Sequence, residues 1–209
     1  DAFGVGGTDL GALADGKWVL TVVAETEEDC DVQFDIIAPD GSLIASFVRS
    51  TEGQRRAEAV VDILDPQLWN PWDSPLSCEG TQPLYQLQAH CVGSSGTPPT
   101  VTFGLRDITL SPTEGLKVNG VKSLLKGGCI HHDNGILGAC AYDSAETRKI
   151  RLLKDAGFNA VRTSHNPPST ALLYACDQEG ILVIDEVHDE WELPKRKDSY
   201  HRHFPRLAV

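Results

Sequence analysis

The sequence predicts a multidomain protein of β plus α/β class, with an immunoglobulin-like β-sandwich followed by a parallel βαβαβ run. Two observations predict the first part: apolar residues recur with period two up to about residue 110, and turn residues separate six or seven short strands. A third predicts the second part. After the turn signal Asn119-Gly120, helical stripes alternate with apolar strands, and Gly157 and Gly180 stand 23 positions apart, each ahead of one such strand.

In the first half, Val32-Gln33-Phe34-Asp35-Ile36 alternates apolar and polar and is closed by Pro39-Asp40-Gly41, a turn. Ala57, Ala59, Val61 and Ile63 alternate in the same way, as do Tyr85, Leu87, Ala89 and Cys91, then Val101, Phe103 and Leu105. Trp18 to Ala24 reads as a more fully buried strand. In the second half, an apolar strand around Leu124-Leu125 runs into Gly127-Gly128-Cys129-Ile130-His131-His132-Asp133. Ser144 is the expected N-cap of a helix whose stripe is Ile150, Leu153 and Ala156, with Glu146 in its positive first turn and Gly157 at its end. Phe158 to Arg162 is the next strand, and Pro168 opens a helix that carries Leu172, Leu173 and Cys176 and stops at Gly180. Ile181-Leu182-Val183-Ile184 is wholly apolar, as suits a parallel strand covered on both faces. The tail from Trp191 to Val209 reads as loop.

The chain has 209 residues, 41% hydrophobic and 23% charged, which is the composition of a soluble globular protein. Its formal charge of −12 argues against nucleic acid as a partner, and no apolar run approaches the roughly 20 residues that span a bilayer. A neutral ligand such as a sugar is compatible with that charge. The chain contains no methionine and opens on Asp1-Ala2-Phe3, so it is expected to be a fragment or processed piece, from which a signal peptide could have been lost. The six cysteines form no Cys-x-x-Cys pair, and several sit among apolar neighbours, as Cys176 does, so they read as reduced packing residues in a cytoplasmic protein. Cys78 and Cys91 are the one pair that invites a check for a disulfide.

All three strands of the second half end in polar residues: His131, His132 and Asp133, then Arg162, Ser164 and His165, then Asp185, Glu186, His188, Asp189 and Glu190. In parallel sheets and barrels such ends form the ligand site. Asp185 and Glu186 are neighbours on one strand and point to opposite faces, so they are not the facing carboxylate pair that glycoside hydrolysis needs. His131, Asp133, His165 and His188 are an alternative set of metal donors, though without the i, i+4 histidine spacing of a helical zinc site. Ser164 beside His165 lacks a Gly-x-Ser-x-Gly elbow and is the weaker choice for a nucleophile.

Leu116-Lys117-Val118-Asn119-Gly120, Leu125-Lys126-Gly127 and His131-His132-Asp133 with Leu137-Gly138 resemble the barrel entry of the family 2 glycoside hydrolases. Arg162-Thr163-Ser164-His165-Asn166-Pro167-Pro168 resembles that family's internal signature, and Cys176 to Glu186 continues it in register. Leu68-Trp69-Asn70-Pro71, Pro83-Leu84-Tyr85 and Phe103-Gly104-Leu105-Arg106 are similar to the end of its sandwich domain. The resemblance implies an immunoglobulin-like sandwich over residues 1–110 and the first part of a (β/α)8 TIM barrel over residues 111–209, truncated after three strands. It implies that His131 and His165 line the sugar subsite. It also implies that Arg162 lies against a nucleophilic carboxylate and favours its charged form, as a neighbouring guanidinium does.

Asp189-Glu190-Trp191 is similar to an element of β-galactosidase-like members, so Asp189 and Glu190 join the expected substrate-binding residues. Val187 stands where β-glucuronidases and β-mannosidases tend to carry cysteine. The implied activity is therefore retaining hydrolysis of terminal β-glycosides, with β-galactosidase favoured over β-glucuronidase and β-mannosidase. A carbohydrate substrate, no organic cofactor, no nucleic acid and no membrane are expected. Magnesium or sodium is bound near the site in some members, but no residue here is assigned to it, and oligomerisation of the parent stays open. The family's acid/base glutamate follows an asparagine, and this chain has no Asn-Glu dipeptide. Its nucleophile comes from a later strand. The catalytic pair is thus absent and the piece is expected to be inactive alone. A non-catalytic carbohydrate-binding or scaffold protein is the alternative of a different class.

Overall fold

The computed structural model describes residues 3–4, 17–190 and 193–203. They fall into two compact units, one within Asp1–Asn70 and Pro83–Lys122, the other within Pro71–Gln82 and Ser123–Val209. Among the described residues no helix is long and apolar enough to cross a membrane.

The first unit is all antiparallel. Strands β1 (Phe3–Gly4), β2 (Lys17–Glu25), β3 (Asp31–Ile37), β4 (Leu43–Ser50), β5 (Arg56–Leu64), β6 (Tyr85–Cys91) and β7 (Thr100–Phe103) make two sheets, ordered β1-β2-β5 and β4-β3-β6-β7. Period-two alternation turns one face of each inward, and Leu20, Val22, Val32, Phe34 and Ile36, all at 0% exposure, meet in one core with Ala57, Tyr85 and Leu87. Strand β2 is the more fully buried strand expected over Trp18–Ala24: the residues there alternate between buried and half-buried, with none exposed. A third sheet, β8 (Ile108–Ser111), β9 (Gly115–Val118) and β10 (Val121–Lys122), closes the unit. Asn119 and Gly120 join β9 to β10 with φ of 50° and 77°, the two positive values that a two-residue hairpin turn demands.

The cysteine expectation is corrected here. Cys91 is joined to Cys30, with Cα atoms 5.9 Å apart, while Cys78 is a free thiol that donates to the Thr81 carbonyl. Strands β3 and β6 are neighbours and Val32 pairs with Cys91, so Cys30 at the entry to β3 lies beside it.

The second unit contains a parallel sheet of β11 (Gly127–Ile130), β12 (Ala160–Thr163) and β13 (Leu182–Ile184), in that order, with helices α1 (Asp143–Asp155) and α2 (Thr170–Glu179) in the crossovers. Ile130, Val161 and Val183 pack with Ile150, Leu172 and Cys176 of the helices. Residues of the other parity (Cys129, Arg162 and Ile184, aligned by register) therefore face away from them. The first strand starts later than expected, with Leu124 and Leu125 left exposed. At Gly127 the chain comes so close to β12 that an added Cβ would lie 2.0 Å from the Ala160 carbonyl oxygen, so only glycine fits.

Helix starts also differ from expectation. Tyr142, not Ser144, is the N-cap of α1 and makes no side-chain cap, while Asp143 and Glu146 occupy its first turn. Helix α2 is capped by Ser169, whose hydroxyl accepts from Leu172 N–H, and Pro168 lies just outside. Gly180 ends α2 in the left-handed conformation, as expected. In the tail, Trp191, Glu192 and residues 204–209 lie outside the described residues, and Tyr200–His203 forms a short 3-10 turn rather than plain loop.

Pro71–Gln82 is threaded between β5 and β6 in sequence but belongs to the second unit. Trp72 Nε1 donates to the Phe158 carbonyl at 2.7 Å, and Trp72 N–H to the Gly180 carbonyl at 2.9 Å. Buried Asn159 accepts from Lys126 N–H and donates to the Asp73 carboxylate and the Leu124 carbonyl. Asn159→Leu keeps the bulk and strands those partners, so we expect a loss of about 3 kcal/mol in urea denaturation followed by tryptophan fluorescence.

Glu179 ties α2 to α1, accepting from Arg151 at 2.7 Å and Lys154 at 2.9 Å. Burial pushes its carboxyl up, but the two cations outweigh burial and hold it below the ordinary glutamate value. A folded-state value below the unfolded one gives stability that is complete above the unfolded value and lost as pH falls through the folded one. Thermal melts should therefore fall in midpoint below about pH 4.3, and Glu179→Gln should flatten that fall.

Candidate active site

The three strand ends form one polar cluster on the helix-free side of the sheet. Arg162, on β12, ion-pairs through Nη2 with Glu186 Oε1 just past β13. The other carboxylate oxygen of Glu186 lies 3.0 Å from His165 Nδ1. His165 Nδ1 is also 3.6 Å from the Asp189 carboxylate, and the His131 ring stands edge-on to the His165 ring, with centroids 5.8 Å apart. The Ser164–His165 peptide between arginine and histidine is cis. Of the expected site residues, His131, Arg162, His165 and Asp189 are thus brought together.

Thr163 explains why Glu186 arrives there. Its side chain is buried on the helix side, and its hydroxyl accepts from Glu186 N–H and donates to the Asp185 carboxylate, both at 3.1 Å. Asp185 and Glu186 consequently point to opposite faces, as neighbours on an extended chain must. Each oxygen of Glu186 is engaged, one by Arg162 and the other by His165, so Glu186 links the two in the cluster.

Other polar residues go elsewhere. The Asp133 carboxylate accepts from Gly135 N–H in its own loop, and His188 Nδ1 lies 2.7 Å from the Glu190 carbonyl. Glu190 is only 6% exposed and its Oε2 has no hydrogen-bond partner among the described residues, but it joins neither Arg162 nor His165. Trp191 of the Asp189-Glu190-Trp191 element lies outside the described residues. The four proposed metal donors, His131, Asp133, His165 and His188, form no ligand set among the described residues.

Residues 112–195 match the family model of the glycosyl hydrolases family 2 TIM barrel domain. A β-galactosidase of Bacteroides ovatus is 32% identical over 191 residues, covering 87% of this chain and 21% of its own length. A solved family 2 glycosyl hydrolase from Bacteroides cellulosilyticus superposes with a TM-score of 0.73 at 36% identity over 93% of this chain, and 26% of its own. The chain belongs to glycoside hydrolase family 2. A putative β-glucuronidase of Formosa agariphila is 29% identical over 166 residues, 78% of this chain and 15% of that protein. The chain therefore spans about a fifth to a quarter of the length of the two Bacteroides proteins.

Two site residues of this family 2 chain, Cys129 and Lys195, escaped the sequence reading, and Glu186 was named at its strand end without its role. Cys129 lies two positions before His131, so the strand period alone would have put both on one face. Glu186 needs the register of β12 with β13. Lys195 carries no signal, because its contact is made by a loop. Its Nζ donates to the Asp189 carboxylate at 2.5 Å, and that hydrogen bond, helped by the charges of Lys195, His165 and His188, holds the carboxyl below the ordinary aspartate value. Lys195→Met should let the Asp189 carboxyl titrate at higher pH, read from its side-chain carbon resonance. An unmoved midpoint would show that Lys195 does not hold it.

Proposed function

We propose that the enzyme carrying this chain hydrolyses terminal β-glycosides with retention of configuration, and that β-galactosides are its substrates. The observation that supports this most is the Arg162–Glu186–His165 cluster, with His131 beside it, at the ends of adjacent parallel strands. Two imidazoles there can bond sugar hydroxyls, and a guanidinium of fixed charge can keep a carboxylate ionised for attack on the anomeric carbon. His131, His165 and Arg162 take these roles in our reading, and Asp189 and Glu190 contribute acceptors to the sugar. In this reading the acid/base and the nucleophile are supplied by strands after β13. The chemistry requires no organic cofactor. In the same reading, the sheets β1-β2-β5 and β4-β3-β6-β7 of the first unit are the immunoglobulin-like sandwich that precedes the barrel.

A neutral sugar suits the cluster better than a uronate. A glucuronide brings its own carboxylate, and the cations nearest the site, Arg162 and Lys195, are already paired with Glu186 and Asp189. The β-glucuronidase alternative draws on the Formosa agariphila relative and needs a further cation from elsewhere.

Assays of the full-length enzyme on nitrophenyl β-galactoside, β-glucuronide and β-mannoside, with the product anomer read by NMR, test the proposal. Turnover of the galactoside with retention is expected, and His165→Ala should lower kcat/KM at least about tenfold, or about 1.4 kcal/mol. Carbohydrate binding without hydrolysis would replace it with the binding-protein alternative.

A further inference from the structure

Arg162 is held at two points. Glu186 contacts Nη2 through a single oxygen, because its second oxygen is taken by His165, so the fork cannot close on both carboxylate oxygens. One contact leaves the guanidinium plane free to turn about it. The second contact comes from Cys129, whose Sγ lies 3.0 Å from Nη1, with Ser164 Oγ at 3.5 Å from the same nitrogen. Register pairs Cys129 with Arg162, and both belong to the parity that faces away from the helices. The sugar-binding roles proposed above leave this thiol unused.

We propose that Cys129 is a positioning residue for Arg162: its sulfur is the second anchor that fixes the guanidinium plane, so that the remaining N–H donors present themselves to the nucleophilic carboxylate. A neutral thiol accepts weakly, whereas a thiolate is a charged acceptor. The contact itself favours the stronger form. Hydrogen bonds from Ser164 and then Arg162 hold the Cys129 thiol below its ordinary value, and Cys129 and Glu186 in turn hold Arg162 protonated. A cysteine that merely filled space would need no acceptor and would be replaced equally well by alanine.

The inference rests on the glycosidase reading for its kinetic readout, and a second readout does not. In the full-length enzyme, Cys129→Ala should lower kcat about tenfold with KM changed less than about threefold, and Cys129→Ser, which restores an acceptor, should recover most of the loss. Alanine as active as the native residue, or serine no better than alanine, overturns the proposal. Separately, iodoacetamide labelling of the Cys129 peptide, followed by mass spectrometry from about pH 6 to pH 10, should show a midpoint below the ordinary thiol value that rises in Arg162→Met. The same midpoint in both proteins overturns the contact. An enzyme that cleaves no β-glycoside refutes the proposed function instead, and the labelling result then decides the Cys129–Arg162 contact alone.

Discussion

Register between the parallel strands is the constraint from which the site follows. Side chains alternate strictly along a strand, so a slip of one residue between β12 and its neighbours would send Arg162 towards the helices and Val161 towards the site. Two local features oppose that slip. Gly127 meets the Ala160 carbonyl so closely that no side chain fits at that position. Asn159, immediately before β12, joins Lys126 N–H, the Leu124 carbonyl and Asp73 at the opposite end of the strand from the chemistry. The polar mouth is thus placed by contacts at the base of the sheet.

Within the mouth, charge is arranged in pairs with one histidine between them. Arg162 with Glu186 and Lys195 with Asp189 are each in contact, and His165 reaches both carboxylates. The pairs differ in kind. Arg162–Glu186 joins the ends of two strands and is backed by Thr163, which is buried and fixes the Glu186 backbone. Lys195–Asp189 is exposed and held by a loop, so solvent and salt screen it more strongly. Rigidity therefore lies on the arginine side of His165.

Much of this was legible in the residues, and what was not shares a physical reason. Period two exposed the strands of the first unit, Asn119-Gly120 exposed a hairpin, and Gly180 marked a helix end, because each is a local rule of backbone and side chain. The Cys30–Cys91 bridge joins positions 61 apart and follows from β3 lying beside β6, a pairing that alternation along one strand does not specify. Pro71–Gln82 falls inside the 1–110 range expected of the sandwich, yet its Trp72 and Asp73 bond to the second unit. At the site, the convergence of Arg162 and His165 was visible as two residues at one strand end. The carboxylate that organises them was set aside as half of an impossible catalytic pair, and its other use required the register.

Thr163 shows how a single residue carries both levels. By parity it belongs to the helix-facing side, where burial of Val161 and its neighbours holds the strand in place. Its hydroxyl cannot remain unpaired there, since an unsatisfied buried polar group costs about 1–3 kcal/mol. It is satisfied by the end of β13, through Asp185 Oδ1 and Glu186 N–H. Satisfying Thr163 therefore fixes where the β13 chain turns outward, and that turn delivers Glu186 to Arg162 on the opposite face. The hydrogen-bonding need of a packing residue becomes the positional accuracy of a charged one, and the guanidinium orientation depends on a side chain it never touches.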